Sequence, residues 1–191
     1  LLDWIKEIIA SKDKDPEMTF ADLKDCDCWE LKVFACNLNT TGLQEFSFEQ
    51  TPEIKIAEAI RASMSIPFFF NAWQFPNGEL NKHIFIDGGV LYNYPISAFD
   101  NLDKTLGLYI STEDKDEELG FDQIGSYIKR LFKAVLKGQD MDMFKSDEVR
   151  KRTIFLDNLH ISSTHFDISR EEQNKLYEKA VELTSDFCKK L

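Results

Sequence analysis

Asp87 closes the apolar run Ile84-Phe85-Ile86 and is followed at once by Gly88 and Gly89. That pattern delivers a single carboxylate from a strand into a glycine turn. In an open α/β sheet the carboxyl ends of strands are where ligands usually bind, and paired glycines let backbone and ligand come close. A carboxylate held there could accept a proton as a general base; the competing reading is an Asp-capped tight turn. Farther on, Asn93 and Pro95 form an Asn-x-Pro. Both read as structural, Asn93 tying the loop through its side chain and Pro95 fixing the next turn. The cysteines at 26, 28, 36 and 188 fit neither a disulfide framework nor a four-ligand zinc spacing, and His83, His160 and His165 are scattered. No metal or other cofactor is therefore expected.

Upstream of this turn runs Ile56-Ala57-Glu58-Ala59-Ile60-Arg61-Ala62-Ser63-Met64-Ser65-Ile66-Pro67, with Asp87 twenty positions after Pro67. Together with Thr19-Phe20-Ala21-Asp22-Leu23 and the stretch from Leu31 to Thr41, this order resembles the patatin-like phospholipase family. Ala-Ser-x-Ser-Ile-Pro followed by Asp-Gly-Gly-x-x-x-Asn-x-Pro is far more restrictive than any one of its pieces. The tail resembles bacterial members, with Arg152 leading into a strand that ends at Asp157 and Thr164-His165-Phe166-Asp167-Ile168-Ser169 opening a last helix.

The resemblance implies a lipid acyl hydrolase, a phospholipase or esterase, in which a serine of a Gly-x-Ser-x-Gly elbow attacks an acyl ester. Its side-chain partner in the dyad is the aspartate of Asp-Gly-Gly, by position Asp87. The serine and a glycine-rich oxyanion loop belong before the matching region, and none of the eight glycines here flanks a serine in that spacing. Residues 1–191 are thus expected to be the C-terminal part of a single patatin-like α/β hydrolase domain, its N-terminal part missing and its isolated form inactive. Ser63 and Ser65 are poor substitutes for the nucleophile, because they follow a helix and precede Pro67 instead of occupying a sharp strand-to-helix turn. Their hydroxyls are expected to satisfy helix-end carbonyls. Asp87 would need a raised proton affinity, for which partial desolvation by Phe68, Phe69 and Tyr94 is expected. The alternative from another class is a non-catalytic acidic binding module on the same scaffold.

The elements that must position these residues alternate in kind. Strands are predicted over Glu30 to Asn37, near Glu45 to Phe48, and over Ile84 to Ile86, Thr105 to Ile110 and Thr153 to Leu156. A buried helix should open at Thr51-Pro52 and end before Pro67. Further helices should cover Phe121 to Lys137 and Met141 to Arg150, separated by Gly138. A last helix is capped by Ser169 and Glu172, with Leu176, Tyr177, Ala180, Leu183, Thr184 and Phe187 on one face. The expected fold class is α/β, a layered sheet with helices on both faces.

Composition bounds the partners. With 43% hydrophobic and 30% charged residues the chain should fold, and its formal charge of −11 argues against nucleic acid, whose phosphates need clustered cations. The run Ser111 to Glu118 reads as a solvated acidic loop without chemistry. Neither a membrane span nor a signal peptide can be read, and the few cysteines suggest a reducing, cytoplasmic setting. Residues 127–137 place apolar side chains at helical spacing beside Lys129, Arg130, Lys133 and Lys137. That is the pattern of peripheral membrane contact, or of a core-packing helix with a basic edge. A lipid or acyl ester would be the substrate.

Overall fold

The computed structural model describes residues 1–26, 28–99, 101–111, 124–161 and 167–189, apart from the side chains of residues 126, 129 and 132. The fold is mixed α/β, and its residues gather into two compact units: Leu1–Asn93 with Ile128–Gln139, and Tyr94–Tyr127 with Asp140–Leu191.

In the first unit, helix α1 (Leu2–Ala10) buries Ile5. Helix α2 (Phe20–Asp25) starts at a capping box in which the Thr19 hydroxyl accepts the Asp22 N–H at 3.2 Å and the Asp22 carboxylate accepts the Thr19 N–H at 2.8 Å. This reciprocal pair satisfies two donors that a helix start leaves open. Strands β1 (Val33–Asn37) and β2 (Gly42–Phe46) form an antiparallel hairpin closed at Asn37 opposite Gly42. The buried Asn37 side chain accepts the N–H groups of Asn39 and Thr40, and its amide meets His83 Nδ1 at 2.8 Å.

Helix α3 (Ile56–Ser63) begins four residues later than Thr51-Pro52 suggests, with Lys55 as its cap. The reason is local. The Thr51 hydroxyl accepts the Ser47 N–H and the Thr51 N–H donates back to the Ser47 carbonyl, so Thr51 closes a turn instead of capping a helix. Ile56, Ala57, Ala59 and Ala62 of α3 are buried as expected. Strand β3 (Phe85–Asp87) pairs antiparallel with β1, Ala35 opposite Asp87 and Asn37 opposite Phe85, giving the order β2-β1-β3. On its other side Phe85 exchanges two 2.8 Å backbone hydrogen bonds with Trp73. Phe46, Phe75 and Phe85 pack beneath with ring centroids 5.3–5.7 Å apart, in the tilted and edge-on geometries that aromatic quadrupoles favour. Helix α4 (Gly89–Tyr92) follows β3 after one residue.

In the second unit, strands β4 (Gly107–Ser111) and β5 (Thr153–Asp157) run parallel and form their own two-stranded sheet, so the described strands make two sheets. Helix α5 (Ile124–Met143), whose stretch Ile128–Gln139 belongs to the first unit, runs unbroken through Gly138, where the sequence suggests a break between two helices. A helical glycine costs about 1 kcal/mol against alanine, which a twenty-residue helix absorbs. Helix α6 (Asp147–Lys151) is capped by Ser146, and α7 (Arg170–Cys188) by the predicted box of Ser169 and Glu172. Helix α7 packs on β5 with Leu176, Ala180, Leu183, Thr184 and Phe187 partly buried, but Tyr177 of the expected face points into solvent. The expectation that the Thr105–Ile110 strand is covered on both faces fails, since Leu108 and Ile110 are 61% and 64% exposed.

Cys26 and Cys28, too oddly spaced to suggest a framework, are disulfide-bonded. A bond across one residue needs only local proximity, here a 5.4 Å Cα separation just after α2. Cys36 is free and buried, Cys188 free and exposed. The acidic stretch beyond Ser111, the helix start at Phe121 and Thr164-His165-Phe166 lie outside the described residues.

Candidate active site

Asp87 is the last residue of β3 and only partly buried, so its carboxylate leaves the sheet where the strand hands over to α4. Its N–H donates to the Ser65 carbonyl at 3.0 Å. Carboxylate Oδ1 accepts the Gly89 N–H at 2.7 Å, while Oδ2 has no hydrogen-bond partner among the described residues. Burial raises the pKa of Asp87 above the usual 3.8, and the Gly89 N–H opposes that rise by favouring the charged form. The outcome is a carboxylate with one oxygen fixed, one oxygen open and an increased appetite for a proton.

The two glycines permit close approach, and in this structure what approaches Gly88 is the backbone of β1. Gly88 has φ −66°, an ordinary right-handed value, so it is not needed for a left-handed turn. It is needed for space: a Cβ there would lie 2.3 Å from the Phe34 carbonyl oxygen of β1. A Cβ on Gly89 would lie 3.0 Å from both Asp87 Oδ1 and Asn93 Oδ1, so this glycine keeps room around the carboxylate. Asn93 caps α4, its N–H 3.4 Å from Gln139 Oε1, and Gln139 Nε2 donates to the Val90 carbonyl at 2.6 Å. A side chain of α5 thus ties down the helix that follows Asp87. Pro95 lies in an exposed turn whose carbonyl accepts the Ala98 N–H at 3.0 Å.

Ser63 ends α3 and is partly buried, and Pro67 enters the turn beyond it. The fully buried Ser65 donates to the Arg61 carbonyl at 3.0 Å and accepts from the Arg61 guanidinium at 2.6 Å, so its hydroxyl is occupied and only its carbonyl meets Asp87. Arg61 lies in the stretch Ile56 to Pro67, where its i, i+4 spacing to Ser65 at a helix end is the one sequence signal for this bond. Phe68 and Phe69, expected to shield Asp87, are 56% and 45% exposed, and Phe68 sits at φ +71°, where a bulky side chain is sterically disfavoured. The Tyr94 hydroxyl is engaged with Thr153 at 2.8 Å. No group of three or more His, Cys, Asp or Glu side chains among the described residues is arranged to hold a metal ion. A groove of about 280 Å³, lined by Phe20, Leu23, Leu31, Phe48, Glu30 and Glu49 among others, involves none of the site residues named from the sequence.

Strand, tight link and helix thus present one half-buried carboxylate in an α/β scaffold. The family model described as patatin-like phospholipase matches residues 3–100, which include every site residue from Ser63 to Pro95, and the chain belongs to that family. Uncharacterized protein R571 of Acanthamoeba polyphaga mimivirus is 28% identical over 181 residues, 91% of this chain and 58% of that protein. The probable lipid hydrolase 463L of Invertebrate iridescent virus 6 is 33% identical over 66 residues, 35% of this chain and 21% of that protein. Both relatives are viral, whereas the tail suggested bacterial ones. The chain spans less than two thirds of the length of either relative. Among solved structures, VipD from Legionella pneumophila shares the fold with a TM-score of 0.57 at 18% identity, over 91% of this chain and 36% of that one.

Proposed function

We propose that this chain contributes the general base of a lipid acyl hydrolase, with Asp87 taking the proton of a serine supplied by a segment outside these 191 residues. A serine hydroxyl attacks an ester carbonyl only when a base removes its proton, and in a two-residue dyad that base is the carboxylate itself. The supporting observation is the asymmetry of Asp87: Gly89 fixes Oδ1, Oδ2 is open among the described residues, and burial raises the proton affinity. Family membership and the probable lipid hydrolase among the relatives support the substrate class, a phospholipid or another acyl ester. Without the serine and its oxyanion donors the chain alone is inactive. In the complete polypeptide, Asp87→Asn should lower turnover of a chromogenic acyl ester by ~10²–10⁴ with the fold unchanged. Turnover at the wild-type rate would remove Asp87 from the chemistry.

Exposed Ile128, Leu131 and Val135 repeat at helical spacing along α5, and they support peripheral contact with a lipid surface from a cytoplasmic location. Co-sedimentation with anionic vesicles that survives Leu131→Glu would argue against that contact. No helix among the described residues is long and apolar enough to cross a membrane. The second reading, a non-catalytic acidic binding module, draws on the groove beside Phe20 and Phe48, whose lining includes Glu30 and Glu49. Ester turnover that depends on Asp87 would dismiss it.

A further inference from the structure

We propose that Arg61 is a positioning residue that holds the end of β3, and with it the Asp87 carboxylate, at its half-buried depth; the functional meaning of this rests on Asp87 being the base. Three contacts of one guanidinium carry the inference. Nη1 donates to Ser65 Oγ at 2.6 Å, Nη2 donates to the Asn71 carbonyl at 3.0 Å, and the group lies over the Trp73 ring at 5.4 Å from its centroid. Each contact leads to β3. The Ser65 carbonyl accepts the Asp87 N–H, Trp73 exchanges both backbone hydrogen bonds with Phe85, and Asn71 lies two residues before Trp73. Arg61 therefore ties the end of α3, the turn after it and the segment bridging β3 into one frame.

The chemistry of the group supports this role. Burial lowers the pKa of Arg61, the sign of a cation kept partly out of water, and Arg61 forms no ion pair with a carboxylate among the described residues. Partly buried cations are costly when unpaired, so such a group is retained at a price unless its donors do something else. Its planar fork holds two acceptors at once in fixed geometry, which a lysine cannot do. Burial and the Gly89 N–H act on Asp87 directly, and the contacts of Arg61 give it a route to the carboxylate through the backbone.

The test is a carboxyl carbon NMR titration of Asp87 in the 191-residue chain, comparing wild type with Arg61→Gln and Arg61→Lys. Loss of the fork should loosen the end of β3, hydrate the carboxylate and move its midpoint down by about half a pH unit or more. Arg61→Lys, which keeps the charge and loses the fork, should move it the same way and is the arm to read if the glutamine variant does not fold. A midpoint that rises in the glutamine variant alone would show an electrostatic role and overturn the proposal. So would an unmoved midpoint with a lower melting temperature, the mark of a merely structural residue. Because this readout needs no substrate, its failure is separable from failure of the ester assay on Asp87→Asn.

Discussion

The β1–β3 region and the β4–β5 pair both place apolar side chains on short strands, yet the first hides more of them. Phe46 and Phe85 are fully buried with Phe75, and α3 lays three buried residues, Ile56, Ala59 and Ala62, against the same core. In the other unit the buried cluster is Tyr94, Ile96 and Val149, supported by hydroxyl hydrogen bonds from Tyr94 to Thr153 and from Tyr109 to Asp140, while Leu106, Leu108 and Ile110 face solvent. The candidate base sits at the end of a strand in the better-packed region. A carboxylate can be kept half-desolvated only by surroundings that do not yield, and close packing provides such surroundings.

The comparison breaks most readily at Phe85. Phe85→Ala should cost about 3–5 kcal/mol, read by denaturant unfolding, because it opens a cavity among rings that cannot collapse inward. Leu108→Ser, an apolar deletion of similar kind on β4, should stay within about 0.5 kcal/mol, since its side chain is already in water. Equal costs at the two positions would show that the β4 face is covered in solution.

Smaller effects sharpen the contrast through pH. The folded pKa of Asp87 lies above its ordinary 3.8, so the native state binds this proton more tightly than the unfolded chain does. Stability is therefore lost as pH rises from about 3.8 through the folded value, and Asp87→Asn should be more stable than wild type above that window and not below it. Glu17 runs the other way: hydrogen bonds from Lys55 and Lys6 hold its carboxyl down at about 2, against an ordinary 4.5. Its contribution is complete above 4.5 and lost as pH falls toward 2, and Glu17→Gln should flatten that acid limb of the unfolding midpoint by a small amount, the pair being exposed. A destabilised Asp87→Asn at neutral pH would mean that the carboxylate is structural and not held under desolvation.

Local signals were read correctly from sequence. The box of Ser169 and Glu172, the apolar body of α3 and the strand that hands Asp87 to the glycines each depend on residues within a few positions of one another. Where sequence reading erred, a partner distant in the chain or a competing local bond had intervened. Thr51 was drawn off a helix start by Ser47, and Gly138 was carried by a long helix.

The family was legible in the sequence, and the same pattern singles out Asp87 as the candidate base, because a motif is a matter of residue type and spacing. That Gly88 must be glycine follows from the packing of the fold, since the obstacle is the carbonyl of Phe34, fifty-four positions away. Tertiary structure alone showed Arg61 reaching Asp87 through Ser65 and Trp73. Periodicity reports which side chains share a face, but burial and hydrogen bonding across the chain depend on what the fold brings to that face, and these set the proton affinity of a carboxylate.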